Sequence, residues 1–211
     1  MTSFVDIHTH NPLCTTERIA NFRLGVDVSA PAAPFSAGIH PWDAEMGTTL
    51  RDSLLAQLSE LECVAIGEVG LDRACKVPLG VQTELFEAQL AIAATRDLPV
   101  IVHCVRATSE CLAILAKHNI KTALFHGFIG SVEVAEEILR RGYFISYGFG
   151  SIRSPKTIEA LRHTPLDHLF LESDTAPHPI SELYSVIAEA KNINIELLKD
   201  TIKNNYIAFF R

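Results

Sequence analysis

The feature that most constrains the fold is a regular alternation of two kinds of segment. Short apolar runs, often rich in β-branched residues, alternate with longer stretches of helical periodicity along most of the chain. This alternation is typical of parallel β/α units. The predicted strands are Phe4–His8, Arg23–Val28, Phe35–Ile39, Val64–Gly67, Val100–Val102, Ala123–Phe125, Tyr143–Ser146 and Leu169–Leu171. The predicted helices are Thr48–Leu61, Gly80–Arg96, Thr108–His118, Val132–Arg141, Pro155–His163, Ile180–Lys191 and Ile195–Asn204.

Eight strands with helices between most of them predict an α/β fold, a (β/α)8 barrel of the TIM type. One region departs from the full pattern. Between His10 and Phe35 there is room for a strand but not for two helices, and Ser29–Phe35 holds two prolines and no helical period. We therefore expect an abbreviated barrel that lacks much of its first outer helices. A length of 211 residues suits one domain over residues 1–211.

Composition narrows the classes of function. The formal net charge is −7 and the chain has no long Lys/Arg cluster, whereas proteins that hold nucleic acid tightly by general electrostatics are basic. No apolar run is long enough for a membrane span, and the N-terminus lacks the pattern of a signal peptide. Five cysteines without CxxC spacing indicate reduced thiols and a cytoplasmic protein. The oligomeric state stays open.

Polar side chains able to bind a metal stand at the ends of most predicted strands. His8 and His10 lie one residue apart after the first apolar run, so they face the same side of a strand. A lone histidine at such a place is more often a hydrogen-bonded polar group than a ligand. In a parallel barrel, however, the carboxyl ends of all strands open on one face, where active sites are built. The coincidence, above all of His8, His103, His126 and Asp174, predicts a metal site on this face. The polar strand-end residues that face it, besides His8 and His10, are His40, Glu68, Asp72, His103, His126, Glu172 and Asp174.

These residues lie in motifs that resemble the TatD family of metal-dependent hydrolases, within the amidohydrolase-like TIM-barrel superfamily. The motifs are DIHTH, GIHPWDA, AIGEVGLD, LPVIVHC, FHGFIGS, YFISYG and LFLESDTAP, in the family's order and spread over nearly the whole chain. The resemblance implies phosphodiester hydrolysis, with DNA as a transient substrate or a small phosphodiester in its place.

The resemblance also implies roles for single residues. Glu68 would bridge two metals, and Asp174 would ligate the first metal and handle the proton of the nucleophilic water, so both are expected to be catalytic. His40 would face the substrate. The full set of implied metal ligands is His8, His10, Glu68, His103, His126 and Asp174.

The ligand types limit the metals. Imidazole and carboxylate without thiolate suit Zn²⁺, Mn²⁺ or a similar divalent ion, whereas purely oxygen sites favour Mg²⁺. Six ligands make two divalent ions at roughly 3.5–4 Å feasible, and a metal can lower the pKa of bound water to about 7, which gives a hydroxide nucleophile. Zinc, manganese and magnesium all stay open as the native metal.

Departures from the family concern the substrate contacts. The chain is shorter before Gly38, Trp42 stands where the family tends to have a second histidine, and Arg73 stands where an aromatic residue is common. Arg73 and Arg106 are candidates for a phosphate contact or for a surface salt bridge. Two alternatives therefore stay open: a metal-dependent hydrolase of small esters, amides or lactones, and a metal-binding protein without turnover.

Overall fold

The structure, a computed structural model, describes residues 3–11, 17–32 and 34–210. Within these residues the chain forms eight strands, and from the third strand onward helices follow the strands as predicted. The strands are β1 Val5–Thr9, β2 Glu17–Arg23, β3 Phe35–Gly38, β4 Ala65–Asp72, β5 Val100–Val105, β6 Ala123–Phe125, β7 Phe144–Tyr147 and β8 Leu169–Leu171. The α-helices are α1 Thr48–Glu60, α2 Leu79–Arg96, α3 Thr108–Lys117, α4 Val132–Leu139, α5 Pro155–His163, α6 Ile180–Lys191 and α7 Ile195–Phe209.

The first outer helices are absent from the described part of the N-terminal region. No α-helix occurs at residues 10–11, 17–32 or 34, which are the described residues between β1 and β3. The expectation of an abbreviated pattern is confirmed for these residues.

The second strand differs from its prediction. It covers Glu17–Arg23 instead of Arg23–Val28, and the chain turns at Gly25, where φ is +85°. The Asp27 carboxylate accepts a hydrogen bond from the Arg23 backbone N–H at 2.7 Å and closes that turn. The β-branched residues Val26 and Val28 made the segment look like a strand, but both are exposed.

Strands β4 and β5 are longer than predicted, and this changes where two candidate site residues lie. The sequence placed Glu68 and His103 just after strands that end at Gly67 and Val102, but β4 continues to Asp72 and β5 to Val105, so both side chains stand inside strands. Gly70 pairs with His103 in the parallel ladder between β4 and β5. The absence of a side chain at Gly70 allows this approach, because a Cβ there would lie 2.0 Å from the His103 carbonyl oxygen.

The chain divides into two compact units, Met1–Ala20 with Leu124–Arg211, and Asn21–Ala123. In the unit Asn21–Ala123, β3, β4 and β5 are parallel neighbours. Helix α2 contacts the backbone at the ends of β3 and β4 through two buried glutamines. These are seven residues apart and therefore lie on one face of the helix. Gln89 bonds the backbone of Ile39 at 2.7 and 3.1 Å, and Gln82 bonds the backbone of Asp72 at 2.7 and 3.0 Å. These bonds fix the backbone where candidate site residues leave the strands.

In the other unit, β1 pairs with β2, and β6 with β7 and β7 with β8, all in parallel. Tyr184 on α6 anchors β1, because its hydroxyl donates to the Val5 carbonyl at 2.9 Å and accepts from the Val5 N–H at 3.2 Å. The core includes the fully buried rings of Tyr147, Phe170 and Phe209. The single domain expected over residues 1–211 stays a prediction.

Two smaller expectations concern cysteines and membrane spans. Cys63, Cys75, Cys104 and Cys111 are free thiols, and Cys14 lies outside the described residues. Among the described helices, none has the length and apolar character needed to cross a membrane.

Candidate metal sites

In the unit formed by Met1–Ala20 and Leu124–Arg211, two histidines of the first strand region meet a late aspartate. His8 Nε2 lies 3.9 Å and His10 Nε2 3.5 Å from Asp174 Oδ1. One ligand atom from each of the three residues falls within 4.8 Å of the others. The predicted pairing of the N-terminal histidines on one side is therefore observed, and Asp174 completes a group with the composition of a metal site.

Backbone bonds hold Asp174 beside β1. Its N–H donates to the His8 carbonyl at 3.0 Å, and its own carbonyl accepts from the His10 N–H at 2.9 Å. Asp174 has a φ of +51°, a left-handed conformation that non-glycine residues adopt mainly where the surroundings impose it. The preceding residue adds to this, since the Ser173 N–H and hydroxyl bond the Asp6 carboxylate at 2.9 and 2.6 Å. Burial raises the pKa of Asp6 to about 6, although the bonds from Ser173 act in the opposite direction.

His126, directly after β6, joins the same region. Its ring centroid lies 4.5 Å from that of His8. Its Nδ1 lies 3.3 Å from Glu172 Oε1, and Glu172 is fully buried. A buried carboxylate behind an imidazole is the usual way to fix the ring and tautomer of a metal-binding histidine.

A cavity of about 410 Å³ opens beside this group. Asp174 lines it, and the Asp174 side chain is 41% exposed, so its carboxylate can reach a molecule bound there. Gly127, Gly148 and Gly150 form part of the wall, and their positions add no side chains to it. The cavity is large enough for a small organic group such as a nucleotide fragment.

In the unit Asn21–Ala123, a second group consists of His40, Glu68 and His103. His103 Nδ1 lies 2.6 Å and His40 Nε2 3.2 Å from Glu68 Oε1, and the two ring nitrogens are 3.4 Å apart. One ligand atom from each residue lies within 4.8 Å of the others. Glu68 and His40 are buried, so a charge placed among them would meet little competing water.

Asp72 holds the far side of His103. Its Oδ2 lies 3.4 Å from His103 Nε2 and accepts the indole N–H of Trp42 at 2.6 Å. Its Oδ1 accepts the Ala74 N–H at 2.7 Å. Burial would raise the pKa of Asp72, but the bonds from Trp42, Ala74 and His103 outweigh it and lower that pKa, which keeps the carboxylate ionised.

The surroundings of His40 set its protonation. Burial lowers the pKa of His40 by disfavouring the imidazolium, while Glu68 acts in the opposite direction. The Trp42 backbone N–H donates to His40 Nδ1 at 3.2 Å. A neutral ring whose Nδ1 accepts a hydrogen bond carries its proton on Nε2. His40 therefore presents an N–H donor toward Glu68 and His103.

The two arginine candidates differ. The Arg73 guanidinium forms an ion pair with Glu110, which agrees with the surface salt bridge considered from the sequence. Arg106 is exposed and follows directly after β5, with a φ of +54°. Neither arginine belongs to the two groups of metal-type donors described above.

The sequence predicted the residues that supply the imidazoles and carboxylates of both groups, but it did not assign the supporting roles of Asp72 and Glu172. Asp72 and Glu172 were noted as polar strand-end residues, yet they stand behind His103 and His126. The sequence offered one signal for each role: Asp72 follows Glu68 by four residues, and Glu172 precedes Asp174 by two. Their function depends on contacts between strands, which the spacing alone does not specify.

Both groups fit a divalent cation by the chemistry of their donors. Each combines two imidazoles with a carboxylate oxygen, without a thiolate, at mutual distances that allow convergence on one ion. Three protein ligands also leave coordination positions open, as in catalytic rather than structural metal sites.

Comparisons with known proteins agree on one family. A family model described as TatD related DNase matches residues 26–211. An uncharacterized metal-dependent hydrolase of Bacillus subtilis is 32% identical over 198 residues, which cover 82% of this chain and 76% of the relative. A protein of Dickeya dadantii named 3'-5' ssDNA/RNA exonuclease TatD is 38% identical over 152 residues, which cover 68% of this chain and 56% of the relative.

A solved structure gives the same result at the level of the fold. The structure of YJJV, a TatD homologue of Escherichia coli, has a TM-score of 0.85 with 24% identity and covers 98% of this chain and 97% of its own. Together with the parallel strands and following helices, this likeness confirms the predicted α/β class, a TIM-type (β/α)8 fold.

Proposed function

The chain belongs to the TatD-related DNase family and is a metal-dependent hydrolase of the TatD type, and from this premise we propose that it cleaves phosphodiester bonds of single-stranded nucleic acid. The substrate class is supported by the printed name of the Dickeya dadantii relative, a 3'-5' ssDNA/RNA exonuclease. The net charge of −7 fits a substrate that is held transiently at a cation site and not along a basic surface.

The observation that carries the proposal is the presence of two groups that each bring two imidazoles and a carboxylate together. Such groups are rare as plain core packing, because buried polar atoms must all be satisfied. We propose His8, His10 and Asp174 as ligands of one divalent cation, and Glu68 and His103 as ligands of a second. The bridging role of Glu68 and the assignment of His126 to the second ion stay predictions from the resemblance.

When bound, divalent cations would supply Lewis-acid polarisation of the phosphodiester and acidify the attacking water. Zn²⁺, Mn²⁺ and Mg²⁺ are the candidates. Every donor is an imidazole nitrogen or a carboxylate oxygen, which favours Zn²⁺ or Mn²⁺ over Mg²⁺.

Asp174 is proposed as the general base. Its carboxylate lines the cavity and is partly exposed, whereas the other carboxylates near it, Asp6 and Glu172, are buried and bonded to serine side chains. It can therefore accept a proton from a water molecule in the cavity and return it to the leaving oxygen. The neighbouring histidines orient this carboxylate.

His40 is proposed to contact the substrate and not a metal. Ligation through Nε2 would force the proton of a neutral ring onto Nδ1, which faces the Trp42 N–H. Donation from Nε2–H to a phosphoryl oxygen keeps the proton on Nε2 and changes only its partner, which is Glu68 in the structure. The protonation argument therefore supports the pocket role implied by the resemblance.

The first test is cleavage of end-labelled single-stranded DNA by metal-stripped protein to which Mg²⁺, Mn²⁺ or Zn²⁺ is added. Asp174→Asn should lower kcat by at least about a hundredfold, the lower range of general-base contributions. Asp97→Asn is the matched control, because Asp97 has the same φ of +51° and its side chain is 85% exposed.

Glu68→Gln tests the second group, with the exposed Glu84→Gln on α2 as its control. We expect strong loss of turnover for Glu68→Gln and none for Glu84→Gln. If folded, metal-loaded wild type leaves DNA and RNA intact but hydrolyses small esters or lactones, the nucleic-acid substrate is wrong while the hydrolase assignment stands.

A further inference from the structure

We propose that Trp42 is a stacking platform for one nucleobase of the single-stranded substrate, directly beside the phosphate contact assigned to His40. This inference rests on the proposed function, since it names how that same site would recognise a nucleotide. It adds a binding element made by a residue that follows His40 by two positions.

The exposure of Trp42 is the first observation. Its side chain is 53% exposed, although an indole is among the most favourable groups to bury. The other strongly exposed large apolar side chains in the described residues are aliphatic: Val26, Val28, Leu50, Ile129, Val186, Leu197 and Ile207. An aromatic face open to solvent beside a candidate catalytic group therefore needs a reason other than ordinary surface composition.

The indole is also held in a fixed orientation. Its Nε1–H donates to Asp72 Oδ2 at 2.6 Å, and its ring meets His40 and His103 edge to face at centroid distances of 4.7 and 6.1 Å. Asp72 in turn is fixed by the Ala74 N–H. An aromatic group that is already immobile loses little conformational entropy when a base stacks on it.

One face of the indole is already covered by a cation. The Arg23 guanidinium carbon lies 5.7 Å from the ring centroid, and Asp43 holds this guanidinium with contacts of 2.5 and 2.9 Å. A flat ligand would thus stack on the part of the indole that is exposed to solvent. Because the Asp43 carboxylate pairs with this guanidinium, Arg23 helps to hold the indole in place and adds no net charge that would attract the strand.

The geometry favours a nucleobase over other flat ligands. A phosphate that accepts the His40 Nε2–H would place its own nucleotide within reach of the indole, because the two rings are only 4.7 Å apart at their centroids. Base stacking is tolerant of sequence, since each base has a π-face. The platform would therefore serve a nuclease that accepts any base.

Trp42 is the single tryptophan of the chain, so its fluorescence reports on this site alone. Metal-stripped protein in chelator is titrated with a short oligothymidylate and with an abasic oligonucleotide of the same length and charge. The oligothymidylate should quench and shift the emission in a saturable manner, and the abasic strand should not. Chelator prevents cleavage, so this readout is independent of turnover.

Variants test the same contact in the active enzyme. Trp42→Ala should raise the KM for single-stranded DNA roughly five- to hundredfold with a smaller change in kcat, as expected for lost stacking. Trp42→Phe should recover most of the loss, because it keeps a stacking ring without the indole N–H. Leu50→Ala, which removes another exposed apolar side chain (54% exposed) from the same unit, should leave KM unchanged.

The outcomes separate the two proposals. Cleavage of DNA by wild type together with unchanged fluorescence and an unchanged KM for Trp42→Ala would overturn the stacking platform and leave the nuclease function intact. Quenching by the oligothymidylate without cleavage under any metal would support the platform and contradict the nuclease function. Equal quenching by the abasic strand would mean that the backbone and not the base is recognised, which also overturns the platform.

Discussion

Glu172 supports His126 from inside the core: its Oε1 lies 3.3 Å from His126 Nδ1, while its Oε2 accepts the Ser146 hydroxyl at 2.5 Å. Burial would raise the pKa of this fully enclosed carboxyl, but His126, His8 and Ser146 together lower it. The carboxylate is therefore ionised within the protein and holds the His126 ring with its Nδ1 directed inward. His126 Nε2 is then the nitrogen available to a metal.

Glu172→Gln should weaken metal affinity about 10- to 100-fold, because the amide no longer provides an anionic partner for His126. Chelator competition with Zn²⁺ and Mn²⁺ measures the change, and circular dichroism checks the fold. Glu189→Gln, an exposed change on α6 of the same unit, is the control and should have no effect. An unchanged affinity in a folded Glu172→Gln protein would show that His126 needs no carboxylate support.

The close approach of β4 and β5 predicts a strong effect of a single methyl group. Gly70 has a φ of +147°, and a Cβ there would lie 2.0 Å from the His103 carbonyl oxygen. Gly70→Ala should lower the free energy of unfolding by at least about 3 kcal/mol, through strain at a backbone position that cannot yield locally. Urea unfolding at several protein concentrations measures it.

Gly80→Ala is the matched control for Gly70→Ala, since a Cβ at Gly80 meets nothing within 4 Å and the residue lies in α2. That variant should be neutral or more stable by up to about 1 kcal/mol. Equal stability of the two alanine variants would mean that β4 and β5 are further apart than described.

Lys191 predicts a stabilising contact between two helices. At the end of α6 its ammonium donates to the carbonyls of Leu161 and Thr164, both at 2.7 Å, where α5 ends. Lys191→Met keeps most of the aliphatic volume but leaves these carbonyls without that donor, so we expect a loss of about 1–3 kcal/mol. Lys156→Met, an exposed change near the start of α5, is the control.

The same contact has a defined pH dependence. Burial lowers the pKa of Lys191 below its ordinary value of 10.5, so between the two pKa values the unfolded chain binds more protons than the folded one. Stability therefore rises with pH in that window. The advantage of wild type over Lys191→Met should grow as the pH approaches 10.5. A shrinking advantage would mean that the bonds to the Leu161 and Thr164 carbonyls outweigh burial and raise the pKa of Lys191.

How much the sequence could predict differs between the elements. Helices α5 and α6 and strands β6 and β8 have the predicted bounds, because each is a periodic or apolar run between clear breakers. The strand predicted at Arg23–Val28 was wrong. Its valines are β-branched but lie in a turn that Gly25 and the Asp27 side chain close.

The site shows a similar division. The meeting of His8, His10 and Asp174 at one place could be predicted, because strand alternation and strand ends are local features of the sequence. The extension of β4 past Glu68 could not, since it depends on Gly70 allowing the backbone of β5 to approach. The bond between Trp42 and Asp72 depends on how the short 3-10 helix Pro41–Asp43 lies against the end of β4, and it has no sequence signal.

Metal binding itself should stabilise the protein. A cation that binds only the folded chain adds about 2.7 kcal/mol when its concentration is 100 times Kd. For a domain of this size this corresponds to a Tm increase of roughly 5–10 °C. Differential scanning fluorimetry of metal-stripped protein with added Zn²⁺ or Mn²⁺ measures the shift.

The variant His10→Ala tests one proposed ligand. The His10 side chain is 31% exposed, so its removal should leave the metal-free Tm within about 2 °C. It should reduce the increase in Tm that the metal causes, because one ligand is lost without opening the core. A full shift in that variant would remove His10 from the ligand set, and no shift in wild type with any divalent cation would contradict the metal sites altogether.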